Sequence, residues 1–190
     1  MNVGLFFGSF NPIHIGHLII ANYILNESDL EKIWFIISPL NPFKTDNSLL
    51  DEYARLLLVR TAIEDDERLV ASDAEFKLSK PSFTIHTLNY LKENYPENKF
   101  SIIMGSDSFQ NLHLWKNFES IISYYKILIY RRPGYEVENK INAEIEILNA
   151  PLLNISSTEI RKLIKQGKSI RYLVPENVRE EIERNQFYSK

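Results

Sequence analysis

The first seventeen residues constrain what this chain can fold into more than any other stretch. An apolar run, Val3-Gly4-Leu5-Phe6-Phe7, stops at Gly8. A turn-forming segment follows and closes at Asn11-Pro12, and Gly16-His17 opens a long apolar segment from Leu18 to Leu25. The pattern predicts a buried strand over residues 2–8, a loop, and a helix from 16 to about 28. His14 and His17 lie three residues apart, one helical turn, so they can share a face. A helix N-terminus carries unpaired N–H groups and a partial positive charge and therefore attracts phosphate. Two imidazole donors beside it would extend an anion site. Taken alone, such a pair could equally be one surface and one core histidine; the glycine turn, the proline and the Gly-His pair around it favour the phosphate reading.

The remainder repeats the alternation of strand and helix. Residues 32–38 read as a second strand, rich in β-branched and aromatic side chains, and a loop with two prolines follows through residue 47. Helical spacing spans 49–63, a short strand 68–72 and a helix 83–95. A strand at 100–104 stops at Gly105; helix or broken helix covers 106–123, and strands follow at 126–130 and 145–148. The last helices are 156–165 and 175–185. This alternation predicts an α/β fold, a doubly wound Rossmann-like sheet, mostly parallel, with helices on both faces. Ligands of such sheets sit beyond the carboxyl ends of the strands at the topological switch point. No repeat, low-complexity tract or linker divides the 190 residues. One nucleotide-binding domain over 1–190 is expected, with the C-terminal helices (about 156–187) packed on the sheet.

Composition narrows the partners. There is no cysteine, which leaves no disulfide framework or thiolate metal site and suits a reducing cytoplasm. No signal-peptide pattern or bilayer-length apolar run is present. At a net charge of −3, binding to nucleic acid through charge alone is not expected, while a small anionic substrate is compatible. Nothing in the sequence specifies an oligomeric state.

A second constellation is Ile155-Ser156-Ser157-Thr158-Glu159-Ile160-Arg161. It predicts a capping box, with Ser156 as N-cap and Glu159 three residues later. The hydroxyls of Ser157 and Thr158, and Arg161 one turn on, also suit a polyphosphate. The loop from Gly8 to His17 is no Walker A or Gly-x-Gly-x-x-Gly motif. It resembles the Gly-x-Phe-x-Pro-x-His-x-Gly-His loop of the nucleotidyltransferase α/β-phosphodiesterase superfamily, whose second nucleotide-binding motif, Ile-Ser-Ser-Thr-x-Ile-Arg, is matched throughout by residues 155–161. Pro81-Ser82-Phe83-Thr84, Gly105-Ser106-Asp107-Ser108, Leu114-Trp115, Arg131-Arg132-Pro133-Gly134 and Tyr172-Leu173-Val174-Pro175 resemble segments of the bacterial nicotinate-nucleotide adenylyltransferases. Asn11 and His86 stand where that family commonly has aspartate.

The resemblance implies AMP transfer from ATP to nicotinate mononucleotide in NAD biosynthesis. It implies His14 and His17 at the reacting phosphates, and Gly8, Ser9, Phe10, Gly105, Asp107, Ser157, Thr158 and Arg161 around ATP. Lys44, Phe83, Thr84, Trp115 and Arg132 would surround the mononucleotide. Mg²⁺ is expected on the substrate phosphates, largely without protein ligands. From the residues alone, Trp115 could be a core side chain, Asp107 a helix cap and Lys44 a solvated lysine; His113 and Glu180-Glu181 read as structural. The alternatives are an adenylyltransferase with another acceptor, nicotinamide mononucleotide or phosphopantetheine, and a non-catalytic nucleotide-binding regulator.

Overall fold

The computed structural model describes residues 1–39, 49–151 and 153–189. Six strands form one sheet: β1 (Asn2–Gly8), β2 (Lys32–Ile37), β3 (Leu69–Ser72), β4 (Lys99–Gly105), β5 (Ile127–Tyr130) and β6 (Ile145–Leu148). Every neighbouring pair is parallel, in the order β3-β2-β1-β4-β5-β6. The sheet expected to be mostly parallel is therefore wholly so. The helices are α1 (Ile15–Glu27), α2 (Glu52–Ala62), α3 (Thr84–Asn94), α4 (Ser106–Gln110), α5 (Phe118–Tyr124), α6 (Ser157–Lys165) and α7 (Glu176–Arg184).

Strand alternation sorts the apolar side chains onto two faces. Phe6, Phe35, Ile37, Ile103 and Leu128 join residues of α1, α2, α6 and α7 in one buried cluster. Leu5, Trp34, Ile36, Ile102, Met104 and Ile129 join Leu88 and Leu91 of α3 and Ile121 of α5 in the other. Both faces are thus covered, as the apolar strand runs require.

The chain leaves β1 toward β2 and β3 on one side, then crosses to β4 on the other. The switch point lies between β1 and β4, where the loops after Gly8 and Gly105 diverge and leave a crevice. One local feature matches the broken-helix alternative and one was not expected. The stretch 106–123 breaks into α4, a 3₁₀ turn (Leu112–Leu114) and α5, with Asn117 left-handed at φ 53° before α5. A 3₁₀ turn at Ala74–Lys77, which no periodicity announces, carries Glu75 into the interior. No helix among the described residues is long and apolar enough to cross a membrane.

Candidate active site

The loop between β1 and α1 is held from three directions. Phe10 adopts a left-handed backbone, φ 44°, and its ring turns into the core, edge-on to Phe6, Phe35 and His17 at 5.8, 5.3 and 5.1 Å. A Cβ at Gly8 would stand 2.8 Å from that ring, so only glycine fits beneath it. Phe10, expected at ATP, therefore presents backbone rather than its ring to the cleft. From the second direction come the C-terminal elements. Arg161 Nη1 donates to Asn11 O at 2.9 Å, Ser157 Oγ donates to Pro12 O at 2.8 Å, and Ile15 N–H donates to Leu173 O at 3.0 Å. The third clamp is Arg55, fully buried on α2, whose guanidinium donates to Ser9 O (2.6 Å), Ser38 O (2.9 Å), Leu50 O (2.8 Å) and Pro39 O (3.2 Å). One side chain thus ties together the segments after β1, after β2 and before α2. Asn11 adds a further tie, its Oδ1 accepting Leu50 N–H at 3.1 Å.

His14 and His17 are brought together as expected. Their rings stack with centroids 3.7 Å apart and planes 21° from parallel. The backbone N–H of His14 donates to His17 Nδ1 at 3.3 Å, so Nδ1 is the acceptor and Nε2 carries the ring N–H. His14 is buried, and its Nδ1 has no hydrogen-bond partner among the described residues. Burial, assisted by the nearby Arg132 cation, holds its pKa down to about 4, so this imidazole is neutral at physiological pH.

At the start of α6, Ser156 Oγ accepts Glu159 N–H at 3.2 Å. Only that half of the predicted capping box is seen; the Glu159 carboxylate instead lies 3.8 Å from Lys162. Ser157, Thr158 and Arg161 line a cavity of about 650 Å³ together with Gly8, Ser9, His14, His17, Asp107 and Arg132. A smaller cavity of about 140 Å³ adjoins it, lined by Phe83, Thr84, Trp115, Lys116, Glu75 and Gly105. Phe6, Phe7, Gly8, Ser108 and Tyr130 line both, so the two are lobes of one cleft at the switch point.

The expected residues divide between these lobes with two exchanges. Arg132, expected with the mononucleotide, lines the larger lobe, where Nε lies 3.9 Å from Asp107 Oδ1 and Nη2 donates to the Tyr130 hydroxyl at 3.3 Å. Gly105, expected at ATP, lines the smaller one. Asp107 makes no capping bond on α4. Trp115 is half-buried against the core and also faces the smaller lobe, so both of its readings hold. Lys44 lies outside the described residues.

Sequence reasoning missed Arg55, Glu75 and Lys116. For Arg55 a signal existed, because it shares its helix face with Leu58, Val59 and Ala62, where an unpaired charge has to be explained. Glu75 is buried and accepts the hydroxyls of Ser82 and Thr87 at 2.6 and 2.9 Å. Burial raises its pKa above the usual carboxylate range despite those bonds. Nothing in the local sequence marks it. Among the described residues no group of three or more His, Cys, Asp or Glu side chains is placed to hold a metal ion.

Residues 5–163 match the cytidylyltransferase-like family model. A nicotinate-nucleotide adenylyltransferase of Flavobacterium johnsoniae is 47% identical over 193 residues, covering the whole of both chains. The chain belongs to the nicotinate-nucleotide adenylyltransferase family. Relatives of the same name from Cytophaga hutchinsonii and Bacteroides fragilis are each 46% identical, covering 100% and 90% of this chain and 99% and 86% of their own. The fold is shared with the Plasmodium falciparum nicotinic acid mononucleotide adenylyltransferase solved with NaAD, at a TM-score of 0.81 and 22% identity over 98% of this chain and 97% of that one. In this member of the nicotinate-nucleotide adenylyltransferase family, Asn11 acts as a loop anchor through both its backbone carbonyl and its side-chain oxygen.

Proposed function

We propose that the chain transfers the adenylyl group of ATP to nicotinate mononucleotide, forming deamido-NAD and pyrophosphate. The observation that carries this reading is the two-lobed cleft. A polar lobe with stacked imidazoles and two guanidiniums meets a small aromatic lobe at Gly8 and Ser108. A triphosphate suits the first and a pyridine ring the second, so the reacting phosphates meet where the lobes join.

An oxygen of the mononucleotide 5′-phosphate attacks the α-phosphorus of ATP in line. The new P–O bond forms as the bond to the bridging oxygen of the β-phosphate breaks, and pyrophosphate leaves with the electron pair. The second ionisation of a phosphate monoester falls near pH 6, so the nucleophile needs no base. The protein positions two anions that repel each other and stabilises charge as it moves toward the leaving group. His17, with its Nε2 proton, and the neutral His14 act as donors at the reacting phosphates. Ser157, Thr158 and Arg161 stand at the β- and γ-phosphates; Arg161 does so while holding Asn11 O, so it is also part of the wall. Arg132 contributes cationic charge to the larger lobe. Phe83, Thr84 and Trp115 receive the pyridine ring. Mg²⁺ bound to ATP would supply charge neutralisation at the phosphates as part of the substrate. The described residues build no cage for it, and among them Asp107 is the one carboxylate lining the larger lobe.

The test is pyrophosphate release from ATP and Mg²⁺ with nicotinate mononucleotide, nicotinamide mononucleotide or phosphopantetheine as acceptor. Fastest release with nicotinate mononucleotide is expected. Release only with phosphopantetheine, or with no acceptor, overturns the reading.

A further inference from the structure

A buried carboxylate beside the cleft takes no part in the phosphate chemistry. Glu75, on the 3₁₀ turn Ala74–Lys77, is 2% exposed and lines the smaller lobe. The nucleophile needs no base, and both oxygens of Glu75 are engaged. Oε2 accepts the Ser82 hydroxyl at 2.6 Å and Oε1 accepts the Thr87 hydroxyl at 2.9 Å. Ser82 leads into Phe83 and Thr84 in the wall of the lobe, whereas Thr87 sits inside α3, fully buried and away from the lining. Gripping the chain on both sides of the helix start, the carboxylate fixes where α3 begins. The Ser38 hydroxyl, at the end of β2, faces the same carboxylate. The Ser38 backbone is locked in turn: its N–H donates to Gly8 O at 2.9 Å and its carbonyl accepts Arg55 Nη1 at 2.9 Å. Gly8 lines both lobes. Two further links join α2 to these segments, the Lys80–Glu52 ion pair at 2.6 Å and the ring contact of Tyr53 with Phe76 at 5.2 Å. Lys80 and Tyr53 are exposed, so these links are weak beside the buried carboxylate.

We propose that Glu75 is a positioning residue for the transfer: through Ser82 and Thr87 on one side and Ser38 on the other, it fixes the distance between the pyridine seat and the glycine loop. This deepens the adenylyl-transfer reading and rests on it. The ring enters the smaller lobe, and the phosphate at the far end of the same molecule must arrive in line with the α-phosphorus where the lobes join. The ribose between them has little slack, so a shift of the seat moves the phosphate. In-line displacement is steep in geometry, and a misplacement of about 1 Å can slow it on the order of a hundredfold. Burial makes the tie firm, because a hydroxyl that loses its acceptor inside the protein finds no water to replace it. The tie sets geometry more than affinity, so its loss is read in kcat rather than in KM.

The test is turnover of ATP, Mg²⁺ and nicotinate mononucleotide by the wild type, Glu75→Gln, Thr87→Val and the double variant, with each rate divided by the fraction of sites that bind ATP. Glu75→Gln keeps the shape of the side chain and exchanges one acceptor for a donor. It is expected to lower kcat about tenfold and to move either KM by less than about threefold. Thr87→Val touches neither lobe, yet it should lower kcat about three- to fivefold in the same pattern. The double variant should fall within about twofold of Glu75→Gln, because both changes break one tie. Wild-type kcat in both single variants overturns the proposal. A loss confined to KM for the mononucleotide also overturns it, since Glu75 would then contact the substrate directly. So does a loss in Glu75→Gln with Thr87→Val at the wild-type rate, because the effect would not run through α3. A loss that disappears once rates are divided by the ATP-binding fraction marks a merely structural role and overturns it as well. If Glu75→Gln does not fold, Thr87→Val decides alone. Failure of the reaction itself shows in the wild type, as no turnover of the mononucleotide, whereas failure of the tie shows only in the variants.

Discussion

The larger lobe is walled by loops whose carbonyls are gripped by two guanidiniums, whereas the smaller lobe is walled by side chains packed on the sheet. Arg55 and Arg161 between them hold Ser9, Asn11, Ser38, Pro39 and Leu50. Phe83 and Trp115 lie against the cluster of Ile102 and Met104, with Glu75 tying Ser82 to Thr87 beneath them. The first lobe is shaped by directional bonds from a few donors, and losing one donor leaves several buried acceptors without partners. The second is shaped by many weak contacts and should degrade gradually. A site that must hold repelling phosphates in register uses the stiffer construction.

The sharpest test of that contrast is Arg55→Met. Removing a buried guanidinium with four carbonyl partners should lower unfolding free energy by about 3 kcal/mol or more, read by urea denaturation, and ATP binding should weaken with it. A loss below about 1 kcal/mol would show that the loops hold without the clamp. Next is His17→Ala, which keeps the clamp and removes one preorganised donor. Turnover should fall on the order of a hundredfold, with a much smaller change in stability. Near-normal turnover removes His17 from the chemistry, and an unfolded variant makes it a core residue instead. On the packed side, Trp115→Ala should raise KM for the mononucleotide about tenfold, as for loss of one stacking platform, with KM for ATP little changed. Equal effects on both substrates would mean that the two lobes are not separable.

The smallest effect concerns His14 and acidity. Its folded pKa of about 4 lies below the unfolded value, so between those two pH values the unfolded chain binds the extra proton. The stability contribution is complete above the unfolded pKa and is lost as pH falls toward the folded one. Between pH 7 and 5.5 it should amount to about 1 kcal/mol. Glu75, raised by burial, shifts stability in the opposite sense, so the quantity to measure is the difference between wild type and His14→Gln. Saturating ATP should reduce that difference, because phosphate beside the ring favours the protonated form.

What the sequence made legible follows from the range of the interactions. Strand alternation, the glycine turn and the Ser156 cap are local, so β1, α1 and α6 could be placed and the two imidazoles put on one helical turn. The family resemblance rests on those same short stretches and is shown by full-length identity. The residues that set the shape of the cleft act at a distance. Arg55 reaches Ser9, and Glu75 meets Thr87, through pairings that no window of sequence displays. The resemblance placed Arg132 with the mononucleotide. Its side chain lines the larger lobe beside Asp107, a position set by the rotamer that no window of sequence displays.

The hydrogen bonds from Ser157 to Pro12 and from Arg161 to Asn11 span 145 and 150 residues. During synthesis the glycine loop leaves the ribosome 145 to 150 residues ahead of the two side chains that form its second clamp. The nascent protein can lay down β1 and α1 early and add the Arg55 clamp with α2, yet the loop lacks its bonds from Ser157 and Arg161 until α6 has emerged and docked. The set of bonds around the glycine loop is therefore completed only when α6 docks, and a chain stalled before α6 would present the two histidines without the ties at Pro12 and Asn11.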